Sequence, residues 1–230
     1  MHNLIGSAGS RRTAVHRIVA VIALACVASL ASAADWPMWR CDAMRGGAVD
    51  ESLSADLHLQ WARELPALEP AWPDEPRMRF DVAYEPIAAG GTLFVASPRS
   101  DKVMALDADT GALKWQFFAG GPIRLAPVFS DGRLLFGSDD GHLYCISAGD
   151  GGLQWRFLAG PSRRRVLGNT RLISTWPVRG APVVHDGTVY FAAGVWPFMG
   201  IFIYALDAET GDVVWVNDGQ GAEYTDQPHG

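Results

Sequence analysis

The chain has only two lysines, Lys102 and Lys114, and three cysteines in 230 residues. Partners that carry many phosphates require a basic surface. Here 19 basic residues face 25 acidic ones. Residues 1–33 hold three arginines and no acid, so the remainder sets 16 basic residues against 25 acidic ones. That balance excludes a nucleic-acid partner. The cysteines have no spacing that resembles a zinc site. No apolar run reaches the ~20 residues of a membrane span, so no transmembrane segment is expected. No amphipathic helical pattern separates the apolar segments, which disfavours an α/β fold. What is abundant points elsewhere. Hydrophobic residues make up 49% of the chain and charged ones 19%, enough to bury a core. Twenty-five glycines, fourteen prolines and nine tryptophans suit many turns and large aromatic anchors, as in an all-β protein.

The first 33 residues read as an export signal. Arg11, Arg12 and Arg17 form a basic start, Ile18 to Leu30 a short apolar stretch, and Ala31-Ser32-Ala33 a cleavage site. The expected location is periplasmic or extracellular. Two cysteines then remain, Cys41 and Cys145. Export permits a disulfide between them, and their spacing decides nothing.

The remaining chain repeats. Residues 85–115, 126–155 and 181–215 align, each reading as four short strands punctuated by turns such as Gly90-Gly91, Asp131-Gly132, Asp186-Gly187 and Asp140-Gly141. A repeated four-stranded sheet of about 40 residues is a β-propeller blade. A β-sandwich would not repeat a motif at a fixed place. The motif is Ala-x-Asp-x-x-Thr-Gly-x-x-x-Trp. It is complete at Ala105, Asp107, Thr110, Gly111 and Trp115, and again at Ala205, Asp207, Thr210, Gly211 and Trp215. The middle repeat keeps Gly151 and Trp155 but places Cys145, Ser147 and Asp150 at the other positions. The Gly permits positive φ, and the Asp and Thr can bond turn backbone. Cys145, standing where the motif has Ala, reads as a small buried core residue.

These residues resemble the PQQ-like β-propeller repeat. The family includes quinoprotein alcohol dehydrogenases and non-catalytic relatives, among them the outer-membrane assembly factor of the barrel-assembly machinery. The resemblance covers roughly residues 35–217 and looks closest to exported, non-catalytic members. It implies that Trp115, Trp155 and Trp215 pack between neighbouring blades. It likewise marks Asp35 to Arg40 as a lead-in. The expected organisation is a signal at 1–33, a lead-in at 34–82 with an isolated outer strand at 57–65, blades at 83–120, 121–160 and 161–218, and a tail at 219–230. Three blades are fewer than the four to eight of a closed propeller, so an incomplete portion of a larger one is expected. In the family's dehydrogenases adjacent cysteines cover the quinone, and Glu, Asn and Asp hold calcium. This chain has no Cys-Cys pair, and no position matches the calcium set. No cofactor, metal or catalytic residue is therefore assigned.

The spacing points to one face. Trp115 and Trp155 are 40 residues apart, Trp155 and Trp215 are 60. The extra length falls between the outer strand of the second repeat and the inner strand of the third, and around Val195 to Gly200. In an antiparallel meander these two connections emerge on the same side. Long loops on a rigid scaffold are where binding concentrates. The candidate binding face comprises Arg163, Arg164, Arg165, Arg171, Trp176, Arg179, Trp196 and Phe198, with Tyr224 as a further member. Arginine mixed with aromatics suits protein hot spots and acidic, planar or sugar-like ligands. The expectation is a non-catalytic scaffold with a protein or polymer partner. The alternatives are a portion of a quinone-dependent oxidoreductase, which alone would require the quinone and calcium, and a carbohydrate- or polymer-binding module.

Overall fold

Short apolar runs separated by tight turns pair with their sequence neighbours, because a two-residue turn leaves the next strand nowhere else to go. The computed structural model describes residues 34–53, 55–78, 81–168 and 171–218. The expected export signal, the tail and Tyr224 lie outside the described residues. Three sheets follow in order, each a four-stranded antiparallel meander. The first is β1 (Ile87–Ala89), β2 (Thr92–Ser97), β3 (Lys102–Asp107) and β4 (Leu113–Phe118). The second is β5 (Val128–Ser130), β6 (Arg133–Gly137), β7 (His142–Ser147) and β8 (Leu153–Leu158). A separate antiparallel hairpin follows, β9 (Arg165–Gly168) and β10 (Arg171–Ser174). The third sheet is β11 (Val183–His185), β12 (Thr188–Ala193), β13 (Phe202–Asp207) and β14 (Val213–Asn217). The only helical turns among the described residues are Pro76–Met78 and Pro197–Met199, each of 3-10 type. The fold is an all-β, incomplete propeller of three blades.

The blades stack face to face, so the middle strands are covered on both sides. This is why β3 and β7 are buried at four successive positions instead of alternating. One core layer sets Phe94 and Val103 of the first blade against Leu134, Phe136 and Ile146 of the second. Another sets Leu135 and Leu143 of the second against Val189, Phe191 and Leu206 of the third.

The outer-strand tryptophans lock these layers. The Trp115 ring lies on Gly151, where a Cβ would stand 2.8 Å from the ring, and its Nε1 donates to Ala148 O at 3.1 Å. Trp155 lies on Gly211 in the same way. The motif glycine thus does two jobs: it adopts positive φ, and it leaves room for the indole of the preceding blade. The turn itself is held as the motif requires, with Asp107 Oδ1 accepting from Thr110 N and Oγ1 at 3.0 and 2.8 Å. In the second blade Asp150 Oδ1 accepts from Gly152 N at 2.9 Å, so the turn survives its altered residues. Trp215 has no described blade beyond it and is 45% exposed.

The segment 57–65 forms no strand, correcting the expected isolated one; a strand needs a neighbour to share its hydrogen bonds. Its tryptophan nonetheless does what the repeat demands. Trp61 covers Gly111 and donates from Nε1 to Ala108 O at 2.9 Å. Trp61, Leu65 and Tyr84 then cover Val95, Met104 and Leu106 on the outer side of the first blade.

The lead-in runs along the inner strands. Trp36 exchanges backbone hydrogen bonds with Ala88 at 2.7 and 3.0 Å, Pro37 O accepts from Phe129 N at 2.7 Å, and Arg45 donates to Ala181 O at 3.1 Å. One short segment therefore touches all three blades, and Met38 is buried in the second core layer. Cys41 and Cys145 are both buried thiols, not a disulfide. Burial pushes the Cys145 thiol up to about 12. Its sulfur stands 4.0 Å from Ala208 O, the carbonyl equivalent to those that accept the other two indoles. Trp155 Nε1 is left buried without a partner.

Candidate binding face

The long connections do gather on one side. After β8 the chain leaves the second blade, makes the β9–β10 hairpin and returns to β11. The hairpin is tied back across its neighbours. Ser174 N donates to Asp139 O at 2.7 Å, and Arg171 pairs with Asp101 while donating from Nη1 to Pro98 O at 3.2 Å. Burial raises the Asp101 carboxyl, and the hydrogen bond from Arg171 opposes that shift. The 3-10 turn between β12 and β13 meets the same segment, with Trp176 Nε1 donating to Met199 O at 2.6 Å.

Two members of the expected face are not on the surface. Trp176 is 8% exposed, packed on Gly160 and edge-on to Phe202 at 6.3 Å. Arg179 is buried too. Its Nε and Nη2 donate to the two oxygens of Asp139 at 2.7 and 2.9 Å, and its guanidinium lies 4.5 Å from the Trp72 ring centroid. Asp139 also accepts from Arg124 Nε at 2.7 Å, and Arg124 Nη1 reaches Asp81 at 2.5 Å. Two arginines and two aspartates therefore neutralise each other beneath the loops. They come from four connections, so they fix how those connections meet. One donor, Arg179 Nη1, is buried without a partner.

Above this network lies a cleft of about 270 Å³, walled by Trp72, Leu167, Ile173, Trp196 and Phe198 with Arg179 at its base. Trp196 meets Trp72 edge-on at 6.4 Å and stacks with Phe198 at 6.2 Å. Trp196 and Phe198 are partly exposed. The remaining expected residues divide. Arg171 is spent on Asp101, and Arg163, Arg164 and Arg165 are exposed at the start of the hairpin. Trp72, Arg124, Asp81 and Asp139 went unnoticed in the sequence. The signal for Trp72 was a Trp-Pro pair, repeated at 72–73, 176–177 and 196–197 in the elongated segments. Asp139 stands in the turn between β6 and β7, and its carboxylate holds two arginines.

A family model described as outer membrane protein assembly factor BamB, built on the PQQ-type repeat, matches residues 58–215. The chain belongs to this PQQ-repeat family. Its curated relatives carry two kinds of name. The dehydrogenase subunit of the quinone alcohol dehydrogenase of Gluconobacter oxydans (strain 621H) is 31% identical over 142 residues, covering 56% of this chain and 18% of the relative. The outer membrane protein assembly factor BamB of Moranella endobia (strain PCIT) is 37% identical over 68 residues, covering 30% of this chain and 17% of the relative. The quinohemoprotein alcohol dehydrogenase from Comamonas testosteroni shares the fold, with a TM-score of 0.53 and 21% identity over 82% of this chain and 28% of that one. The chain thus spans less than a fifth of the curated relatives it matches.

The dehydrogenase names raise the question of a quinone–calcium centre. The described residues contain no group of three or more His, Cys, Asp and Glu placed to hold a metal, and the chain has no adjacent cysteine pair. The acidic side chains that do converge, Asp81 and Asp139, are each paired with arginine. The residues present do not fit such a centre.

Proposed function

We propose that this chain is part of an exported β-propeller scaffold whose long-loop face captures a protein partner without catalysing a reaction. The aromatic cleft carries this reading. Trp72, Trp196 and Phe198 surround a concave site on a rigid base, and the buried Arg179 Nη1 has no partner there. Aromatic anchors beside arginine are the usual composition of interface hot spots. The relationship to BamB proteins, named for assembly at the outer membrane, agrees with such a role.

The test places a photo-crosslinking residue at Phe198 or, on the opposite face, at Asp109 in the β3–β4 turn of the first blade. The expected result is a discrete protein adduct from position 198 and none from 109. Equal adducts from both, or none from 198 in folded protein, overturn the reading.

A second reading, a portion of a quinone-dependent alcohol dehydrogenase, is favoured by the identity to the Gluconobacter subunit. Dye reduction by the full chain reconstituted with quinone and calcium would support it.

A further inference from the structure

A second pocket, of about 400 Å³, opens where the outer strands of the first two blades meet. It shares no lining residue with the aromatic cleft. Its base is Phe117 edge-on to Tyr144 at 5.7 Å. Its walls bring Arg156 of β8 together with Arg163 and Arg165.

Local geometry explains the convergence. The chain is extended as it enters β9, so residues two apart share a side. Arg163 and Arg165 therefore point one way and Arg164 the other. The Arg164 carbonyl is pinned from beneath by Thr175, whose N and Oγ1 donate to it at 3.0 and 3.2 Å. This fixes the rotation of the segment.

These arginines differ from five others among the described residues. Arg99, Arg124, Arg133, Arg171 and Arg179 each hold a carboxylate. No hydrogen bond or ion pair joins the guanidinium of Arg156, Arg163 or Arg165 to another described residue. In a chain with excess acid, three such cations in one concavity are unpaired despite many available carboxylates.

One carboxylate does line the pocket, but its acceptors face inward. Asp140 accepts from the Tyr144 hydroxyl, from Gly120 N at 3.1 Å and from His142 N at 3.0 Å. His142 Nδ1 stands 3.3 Å from Asp140 Oδ1. Burial pushes the Asp140 carboxyl up, yet these hydrogen bonds outweigh it and hold the group below the usual carboxylate range. Burial, with the same bond, pushes the Tyr144 hydroxyl up to about 12, so it remains a donor to Asp140. Asp140 thus fixes the base of the pocket while the arginines govern its mouth. The third blade shows the contrast. Tyr204 stacks on Phe191 as Tyr144 stacks on Phe136, but its hydroxyl donates to Ala159 O at 3.1 Å. A carboxylate-anchored base with an arginine mouth is a feature of the first joint.

We infer that this pocket binds a small acidic ligand, its carboxylate or phosphate group held by Arg156, Arg163 and Arg165 and its body resting on Phe117 and Tyr144. Guanidinium groups suit both oxyanions because two N–H donors match two oxygens.

The experiment is calorimetric titration of the full chain with pyrophosphate and, separately, citrate, in 50 mM and 300 mM sodium chloride. Saturable binding of at least one anion is expected, weakening with salt. Arg156→Gln, Arg163→Gln and Arg165→Gln should each weaken it roughly tenfold. Arg164→Gln, from the same run but facing away, should weaken it less than about twofold. Preference for pyrophosphate identifies the group as phosphoryl, and preference for citrate as carboxylate; both outcomes uphold the site. The inference is overturned if neither anion saturates a chain with native β-sheet circular dichroism. It is equally overturned if Arg164→Gln weakens binding as much as its neighbours do. Adducts at Phe198 bear only on the aromatic cleft, so the two readings fail separately.

Discussion

Trp115 and Trp215 occupy the same position in the same motif, at equivalent points of the first and third blades. The first lies over Gly151 with its indole bonded to Ala148 O. The second is 45% exposed, with Val214 and Val216 exposed beside it. Local sequence makes the strand and orients the ring, but only the next blade's turn gives it a seat. The motif is therefore half of a joint. The other flank shows what happens when the missing half is supplied from elsewhere. Trp61, on a segment with no ladder of its own, covers Gly111 and bonds Ala108 O. The covered flank and the open flank differ by one tryptophan-bearing segment. An open apolar flank is also an aggregation hazard.

The largest effect should come from beneath the long loops, where charge is buried. Asp139→Ala would leave Arg179 without a carboxylate and Arg124 with Asp81 alone, a loss of about 3–5 kcal/mol. Glu209→Ala removes an exposed partner of Arg133 and should cost under about 1 kcal/mol. Urea unfolding of both variants measures the contrast. Similar midpoints would show that the ion network does not hold the loops.

Next come the tryptophans themselves. Trp115→Ala should destabilise by about 3 kcal/mol, through lost burial and a cavity at the joint. Trp215→Ala should cost under about 1 kcal/mol. If the two variants unfold at the same urea concentration, the open flank is covered in solution, and the comparison between flanks fails.

Much of this architecture was legible because it is local. Turn pairs such as Asp131-Gly132 and the apolar runs beside them specify hairpins without distant help, and the two complete motifs located the outer strands. What was not legible depends on partners far along the chain. Residues 57–65 have strand-like composition but no neighbour to pair with. The triple arginine disguised a hairpin, β9–β10, whose apolar members Val166, Leu167, Leu172 and Ile173 were read as loop. Trp176 and Arg179 were placed on the surface because their segment is long. They are buried because that segment folds under Met199 and over Asp139, contacts no window of sequence contains. The crowding of elaborated loops on one face, by contrast, followed from counting residues between tryptophans.

The glycine seats separate space from backbone. Gly151 and Gly187 have nearly the same positive φ, 75° and 71°. A Cβ on Gly187 would meet nothing within 4 Å, whereas one on Gly151 would stand 2.8 Å from Trp115. Gly187→Ala should cost about 1 kcal/mol, the price of a left-handed conformation alone. Gly151→Ala should cost at least about 1 kcal/mol more, since the indole must also move. Equal losses in thermal unfolding would mean that the ring is not seated there in solution.

The smallest expected effect concerns the seats under acid. Hydrogen bonds from the Thr110 hydroxyl and backbone hold the Asp107 carboxyl below the usual carboxylate range, and those from Thr210 and Glu209 backbone do the same for Asp207. Both groups are partly exposed, so water screens the effect and it is modest. The sign is fixed by which state binds the proton. The unfolded chain protonates these aspartates at higher pH than the native turn does. The stability they confer is present above the ordinary aspartate range and is lost as pH falls through the depressed native values. Each turn is the seat of the preceding tryptophan, Trp61 for Asp107 and Trp155 for Asp207, so acid should loosen the joints from the turn side. Asparagine keeps an acceptor oxygen but has no proton to gain. The drop in melting temperature between pH 6 and pH 3 should therefore be smaller in Asp107→Asn and Asp207→Asn than in the parent chain. It should be unchanged in Asp109→Asn, which stands in the same turn, exposed, outside the motif. Parallel drops in all four proteins would show that the motif carboxylates do not hold the seats, leaving glycine and tryptophan to make the joint alone.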